Sequence, residues 1–229
     1  MKTYIKKLIV LAATTGIALS ASATPTLWLW QDWGAGNTVI VADGSALDTM
    51  ANANQVAYQG AVGDWYINFT AGILTGTASQ PEMDLSSVNF SSKASTLWVG
   101  FSADGFGPSP GSATASIGGT TDGAIEYWSG LGTLNQSLPA AFDYPNPFLA
   151  FGSLPGTNNQ SFSGSDSWML NQEGTYSLVQ WVKITHSGAG NSSFNATLSV
   201  PDSGSTALLI VLGLIGIGFT ARRNKQPLA

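Results

Sequence analysis

No cysteine occurs in the 229 residues, and that absence excludes disulfide staples, thiolate nucleophiles and cysteine-based metal sites together. Histidine is nearly as scarce. His186 is the only one, so zinc sites built on several imidazoles are excluded and any serine–histidine–aspartate triad would have to use it. Charge is thin, at 9% of residues, and positive charge is almost confined to the ends. Lys2, Lys6 and Lys7 precede one apolar run, Arg222, Arg223 and Lys225 follow another, and only Lys93 and Lys183 lie between. Residues 24–200 thus set two lysines against twelve acids, a net charge of −10. Such a body repels phosphate backbones, because nucleic-acid affinity rests on Lys and Arg displacing counterions. Nucleic acid is not an expected partner.

What is present at the two ends encodes topology. Residues 1–23, MKTYIKKLIVLAATTGIALSASA, join a cationic start, an apolar stretch over 8–19 and the small pair Ala21 and Ala23. This is the pattern of a secretory signal peptide, with the cut after Ala23. At the other end, residues 207–221 run for fifteen positions without a charge, roughly 22 Å as a helix, which is short for a permanent anchor. Gly213, Gly216 and Gly218 weaken it as a packed core helix. The basic patch Arg222, Arg223 and Lys225 directly after it would stop transfer and hold the tail inside. A C-terminal transmembrane helix is expected.

Just before that run stand Val200, Pro201, Asp202, Ser203 and Gly204. Pro201 fixes its own φ and pushes Val200 to an extended conformation, while the next three residues favour a turn. The pentapeptide, the apolar helix and the arginine pair, in that order, resemble the VPDSG form of the PEP-CTERM sorting signal. The resemblance covers about the last thirty residues, and the tail over 224–229 continues past the usual basic cluster. It implies export by a Gram-negative bacterium, with an inner-membrane precursor. It further implies recognition by an exosortase, a membrane-embedded, transpeptidase-like cysteine enzyme, and delivery to the outer envelope or extracellular matrix. The segments PEMDLSSVNF, ASIGGTT and YSLVQWVKITHSGAG are also similar to bodies of PEP-CTERM proteins, which supports export and a β fold without indicating a ligand.

The body over 24–199 alternates with period two. Phe194, Ala196, Leu198 and Val200 alternate with Asn195, Thr197 and Ser199, and Leu97, Val99 and Phe101 share a face opposite Trp98. Trp65, Ile67 and Phe69 are expected on one face, with Tyr66, Asn68 and Thr70 on the other. In YSLVQWVKITH both faces carry apolar side chains, which predicts a central strand. SADGFGPSPGS, GGTTDG and YPNPF read as turns or loops, and residues 108–119 as a soft spot in a body without a dividing linker. The expected fold is all-β, an antiparallel β-sandwich or jelly roll, flanked by the signal peptide and the transmembrane helix.

Catalytic chemistry finds little support. Glu82, Asp84, Glu126 and Glu173 are the carboxylates from which a glycosidase pair could be drawn, and Asp104 and Asp122 could bridge calcium between loops, although no EF-hand spacing occurs. No catalytic residue, metal site or cofactor is assigned. His186 ends a strand at a turn, where a hydrogen-bonding edge residue is expected. Trp28, Trp30 and Trp33 cluster near the mature N-terminus and could stack on sugar rings; Trp28 and Trp30 are expected in the core, and Trp65, Trp98 and Trp181 to serve packing. The expectation is a non-enzymatic exported protein. The alternatives are a carbohydrate-binding module, with exopolysaccharide as partner, and a polysaccharide-active enzyme. Solvent-exposed, coplanar Trp or Tyr side chains on one face would favour the first, and a cleft holding two carboxylates at glycosidase separation the second.

Overall fold

The computed structural model describes residues 24–32, 37–109, 111–132, 149–151 and 160–201. Within them twelve strands form: β1 Thr26–Gln31, β2 Thr38–Ala42, β3 Gln55–Val62, β4 Trp65–Thr77, β5 Gln80–Ser91, β6 Ser95–Phe106, β7 Ser112–Thr121, β8 Ala124–Gly132, β9 Leu149–Phe151, β10 Gln160–Met169, β11 Tyr176–His186 and β12 Gly190–Ser199. They make two six-stranded sheets, ordered β2-β1-β6-β11-β8-β9 and β10-β7-β12-β5-β4-β3. Every pairing is antiparallel. The all-β antiparallel expectation is met, and among the described residues no helix is long and apolar enough to cross a membrane. The apolar run at 207–221 lies outside the described residues.

The core fills the space between the sheets. Leu27, Leu29, Leu97, Val99, Phe101, Leu178, Val182 and Ile184 from the first sheet meet Trp65, Ile67, Met83, Leu85, Phe194, Ala196 and Leu198 from the second. Each large apolar side chain withdrawn from water here contributes roughly 1.5–3 kcal/mol. β11 lies between β6 and β8, and its apolar residues on both faces are buried, as a central strand requires. Gln180 sits among them, fully buried, because both ends of its amide are used: Tyr127 Oη donates to its Oε1 at 3.0 Å, and its Nε2 donates to the Met83 carbonyl of the facing sheet at 3.0 Å. Burial pushes the Tyr127 phenol well above its usual pKa.

Three local readings are corrected. β6 extends through Phe106 and β7 includes Gly118 and Gly119, so parts of SADGFGPSPGS and GGTTDG are strand. At Gly119 a side chain would collide with the Ser193 carbonyl of β12, so glycine marks a close backbone approach there and not a turn. The soft spot at 108–119 is accordingly ladder from Ser112 onward. Third, β4 carries an irregularity in register between Ile67 and Phe69. An extra residue in one strand switches which face later side chains take, and Phe69 therefore points outward while Thr70 turns into the core. YPNPF lies outside the described residues.

Candidate functional site

The β4 irregularity builds the most unusual surface of the molecule. In β5 the in–out alternation is unbroken, but the chemistry inverts along it. Met83 and Leu85 face the core and are followed there by Ser87, Asn89 and Ser91, while Glu82, Asp84 and Ser86 face outward and are followed by Val88 and Phe90. Tyr66 pairs with Phe90 and Phe69 with Val88 across the β4–β5 ladder. These four side chains are 50%, 36%, 43% and 46% exposed respectively. Beside them the same face continues over β12 and β7, where Phe69, Ser86, Val88, Gly118, Ser193 and Asn195 line a shallow groove of about 280 Å³. Gly118 and Gly119 supply no side chains, which leaves the groove open. Ser86 Oγ donates to Asn195 Oδ1 at 2.8 Å, and Thr120 and Ser193 share a hydrogen bond at 3.0 Å.

Beneath this apolar patch the interior is polar. Thr70 and Ser87 hydroxyls lie 2.7 Å apart, and Asn89 Nδ2 donates to Ser87 Oγ at 3.1 Å. His186 bridges the two sheets, with Nδ1 2.7 Å from Ser91 Oγ and Nε2 2.8 Å from Ser192 Oγ; Ser192 in turn contacts Thr121 Oγ1 at 2.7 Å. The Trp65 ring packs on the imidazole at 4.8 Å. Burial lowers the His186 pKa below the ordinary 6.5, and the nearby Asp122 charge only partly offsets it, so the ring is neutral at pH 7. His186 does end a strand and is hydrogen-bonded, as expected, but it is buried on the central strand β11 and is not an edge residue. With Ser91 0% and His186 2% exposed, neither group can meet a substrate without opening the sandwich.

The other candidates are dispersed. Asp104 lies by the Thr24 amide, whereas Asp122 accepts from Asn191 N at the opposite end of the sandwich, so one calcium ion cannot bridge them. Among the described residues no three acidic, histidine or cysteine side chains gather as a metal site. Glu82 and Asp84 are neighbours on the outward face of β5. Glu126 belongs to the other sheet, paired with Lys183 at 2.9 Å, and Glu173 is in the segment before β11. Gly107, Ser109 and Gly111 have nucleophile-elbow spacing, but Ser109 is buried against Tyr176 Oη and the Ser79 carbonyl. It lies at the far end of β11 from His186, some 30 Å away at ~3.3 Å per residue.

Tryptophan divides between two places. Trp65 is in the inter-sheet core. Trp28, Trp128 and Trp181, with Trp30 and Trp98 against them, form a second cluster on the outward face of the first sheet, so Trp28 and Trp30 are packed but not in the central core. The rings stack at 5.7 Å (Trp28–Trp30), 5.1 Å (Trp30–Trp181) and 5.3 Å (Trp98–Trp128). Trp181 lies flat across Gly100, where a Cβ would overlap its ring. Trp33 falls outside the described residues.

Of the sorting-motif residues, Val200 and Pro201 are described. Val200 is 3% exposed, and its N–H donates to the Pro81 carbonyl at 3.0 Å, extending the β12–β5 ladder by one residue; Pro201 is exposed. Thus the β12–β5 ladder reaches the first residue of the pentapeptide. Asp202, Ser203, Gly204, Arg222, Arg223, Lys225, Ala21 and Ala23 lie outside the described residues.

Sequence reasoning missed Tyr66, Phe69, Val88 and Phe90 as a surface. The available signal was the run SSVNFSS, in which apolar residues occupy the parity that Glu82 and Asp84 had already marked as outward.

No curated protein matches the chain. Among solved structures, one similar chain is TmCBM61 in complex with beta-1,4-galactotriose, at 8% identity over 64% of this chain and 83% of that one, with a TM-score of 0.20. That degree of likeness carries no functional argument. The family profile of the VPDSG-CTERM motif matches residues 199–224. The chain therefore carries a PEP-CTERM-like sorting signal at its C-terminus, the mark of an exported protein.

Proposed function

We propose that this chain is a non-catalytic envelope or extracellular-matrix protein of a Gram-negative bacterium, exported through its signal peptide and sorted by an exosortase through the C-terminal tag. The observation that carries this reading is the match over residues 199–224 beginning where the last strand ends. Val200 is buried and Pro201 exposed, which leaves Pro201 accessible to a membrane-embedded enzyme. The short apolar run then serves as a temporary membrane stop, fixed in orientation by Arg222, Arg223 and Lys225.

The test replaces Pro201 and Asp202 with alanine in the native host. The apolar run and the basic patch of Arg222, Arg223 and Lys225 are unchanged, so insertion continues, while processing fails and full-length precursor accumulates in the inner membrane. Release of this variant as efficiently as the parent contradicts the reading and makes the run an ordinary anchor. The exposed aromatic patch favours a second role for the exported body, that of a carbohydrate-binding module.

A further inference from the structure

We infer that the outward face of the second sheet, from Tyr66 and Phe90 across the groove to Asn195, binds an uncharged polysaccharide chain. The inference names a ligand class for the body and does not depend on how the tag is processed.

The first support is the inversion itself. Burying Ser87, Asn89 and Ser91 while exposing Val88 and Phe90 reverses the arrangement that solvation favours, since buried polar groups need dedicated hydrogen bonds and gain little beyond them. Exchanging each neighbouring pair would give an ordinary strand. An exposed apolar patch of a few hundred Å² is often functional.

The second support is the chemistry of the face. A sugar ring offers C–H groups on its flat side and hydroxyls around its edge. Aromatic rings meet the flat side with their electron-rich faces, and amides and hydroxyls meet the edge. Tyr66, Phe69 and Phe90 supply rings, and Ser86, Ser193, Thr120 and Asn195 lie in the adjoining rows. Asn195 uses Oδ1 for Ser86, which leaves its Nδ2 hydrogens unclaimed among the described residues.

Charge argues against an anionic polymer, and area against a protein partner. The ionisable side chains on this outward face of β5 are Glu82 and Asp84, with no cation on the face among the described residues. Lys93, just beyond the end of β5, is paired with Asp64 at 3.1 Å. An anionic polymer would be repelled. Half-exposed, the three rings and the valine offer on the order of 300 Å², well short of the ~800 Å² per partner of a stable protein interface. A groove of about 280 Å³ is near the lower end of small-ligand sites, so a second copy is a poor occupant and a saccharide unit a suitable one.

The experiment is native affinity electrophoresis of the exported chain, purified after secretion. The gels contain hydroxyethyl cellulose, xyloglucan, dextran or the neutral fraction of the producer's own extracellular polysaccharide, with polygalacturonate as the anionic control. Retardation is expected in at least one neutral gel and not in polygalacturonate. Replacing Phe69 and Phe90 with alanine should weaken it roughly tenfold, two stacking contacts being lost. Ile40→Ala, on the other sheet, should leave it unchanged. Should the double variant fail to fold by circular dichroism, Asn195→Ala, which removes one surface amide, must weaken retardation. Three results overturn the proposal: no retardation in any neutral gel, retardation indifferent to these substitutions, or a parent that sediments as a dimer which the double variant abolishes.

Discussion

His186 and Asp64 give the molecule two separate windows of pH dependence. Protonating His186 in the fold would place a cation inside the sandwich between Ser91 and Ser192, whereas the unfolded chain protonates near the ordinary 6.5. Below that pH the unfolded state binds more protons, so the stability this residue contributes is complete above about 6.5 and declines as pH falls toward the lowered folded value. The melting temperature is expected to drop between pH 7 and 5, and His186→Gln should flatten that segment while lowering the plateau. A parent curve flat over this interval would contradict the buried-imidazole account. Asp64 is held below its usual 3.8 by hydrogen bonds from Gln31 and then Lys93. Its contribution persists through the His186 window and is lost only as the solution becomes more acid still. Gly100 makes a sharper point about packing. Gly100→Ala thrusts a methyl group into the Trp181 ring, and thermal unfolding should show a loss of about 1–3 kcal/mol.

β12 shows how an element can belong to two functions. Val200 is the last rung of its ladder among the described residues and the first residue of the sorting motif. Val200→Ala removes two buried carbons and should cost about 2 kcal/mol in denaturant unfolding, whereas Pro201→Ala, at an exposed position, should leave stability nearly unchanged. Equal and negligible effects would place the end of the body before Val200. β12 and the first part of β6 were legible because their alternation is continuous and each face keeps one chemistry, and β11 because apolar residues on both faces mark a central strand. β4 and β5 were not, for different reasons. In β4 the extra residue near Asn68 switches Phe69 outward, and an irregularity of this kind has no residue code of its own. In β5 the geometry is regular but the polarity reverses after Ser86, so a rule that sends apolar residues inward fails at Val88 and Phe90. β7 was hidden by Gly118 and Gly119, which serve close strand approach and an open groove where turn chemistry was expected.

At the scale of the whole molecule the ends are segregated. Thr24 lies beside Asp104 and Val200 beside Pro81, so the body begins and finishes at one end of the sandwich. Tyr66, Phe90 and the His186 network occupy the other, about 30 Å away along β5 at ~3.3 Å per residue. A body held by its C-terminal tail would present the aromatic face away from the attachment point. With no cysteine in the chain and no cluster of metal ligands among the described residues, folding should need neither oxidant nor metal. The melting temperature should be the same with and without EDTA, and a collapse in EDTA would instead indicate bound calcium. The central claim, that the chain is trimmed at both ends on its way out of the cell, is tested most directly by the intact mass and terminal peptides of the protein recovered from the envelope of its native producer. The account predicts a chain that starts at Thr24 and ends within residues 200–204, without the apolar run at 207–221. Recovery of a chain that retains Lys2, or that still ends at Ala229, would contradict it.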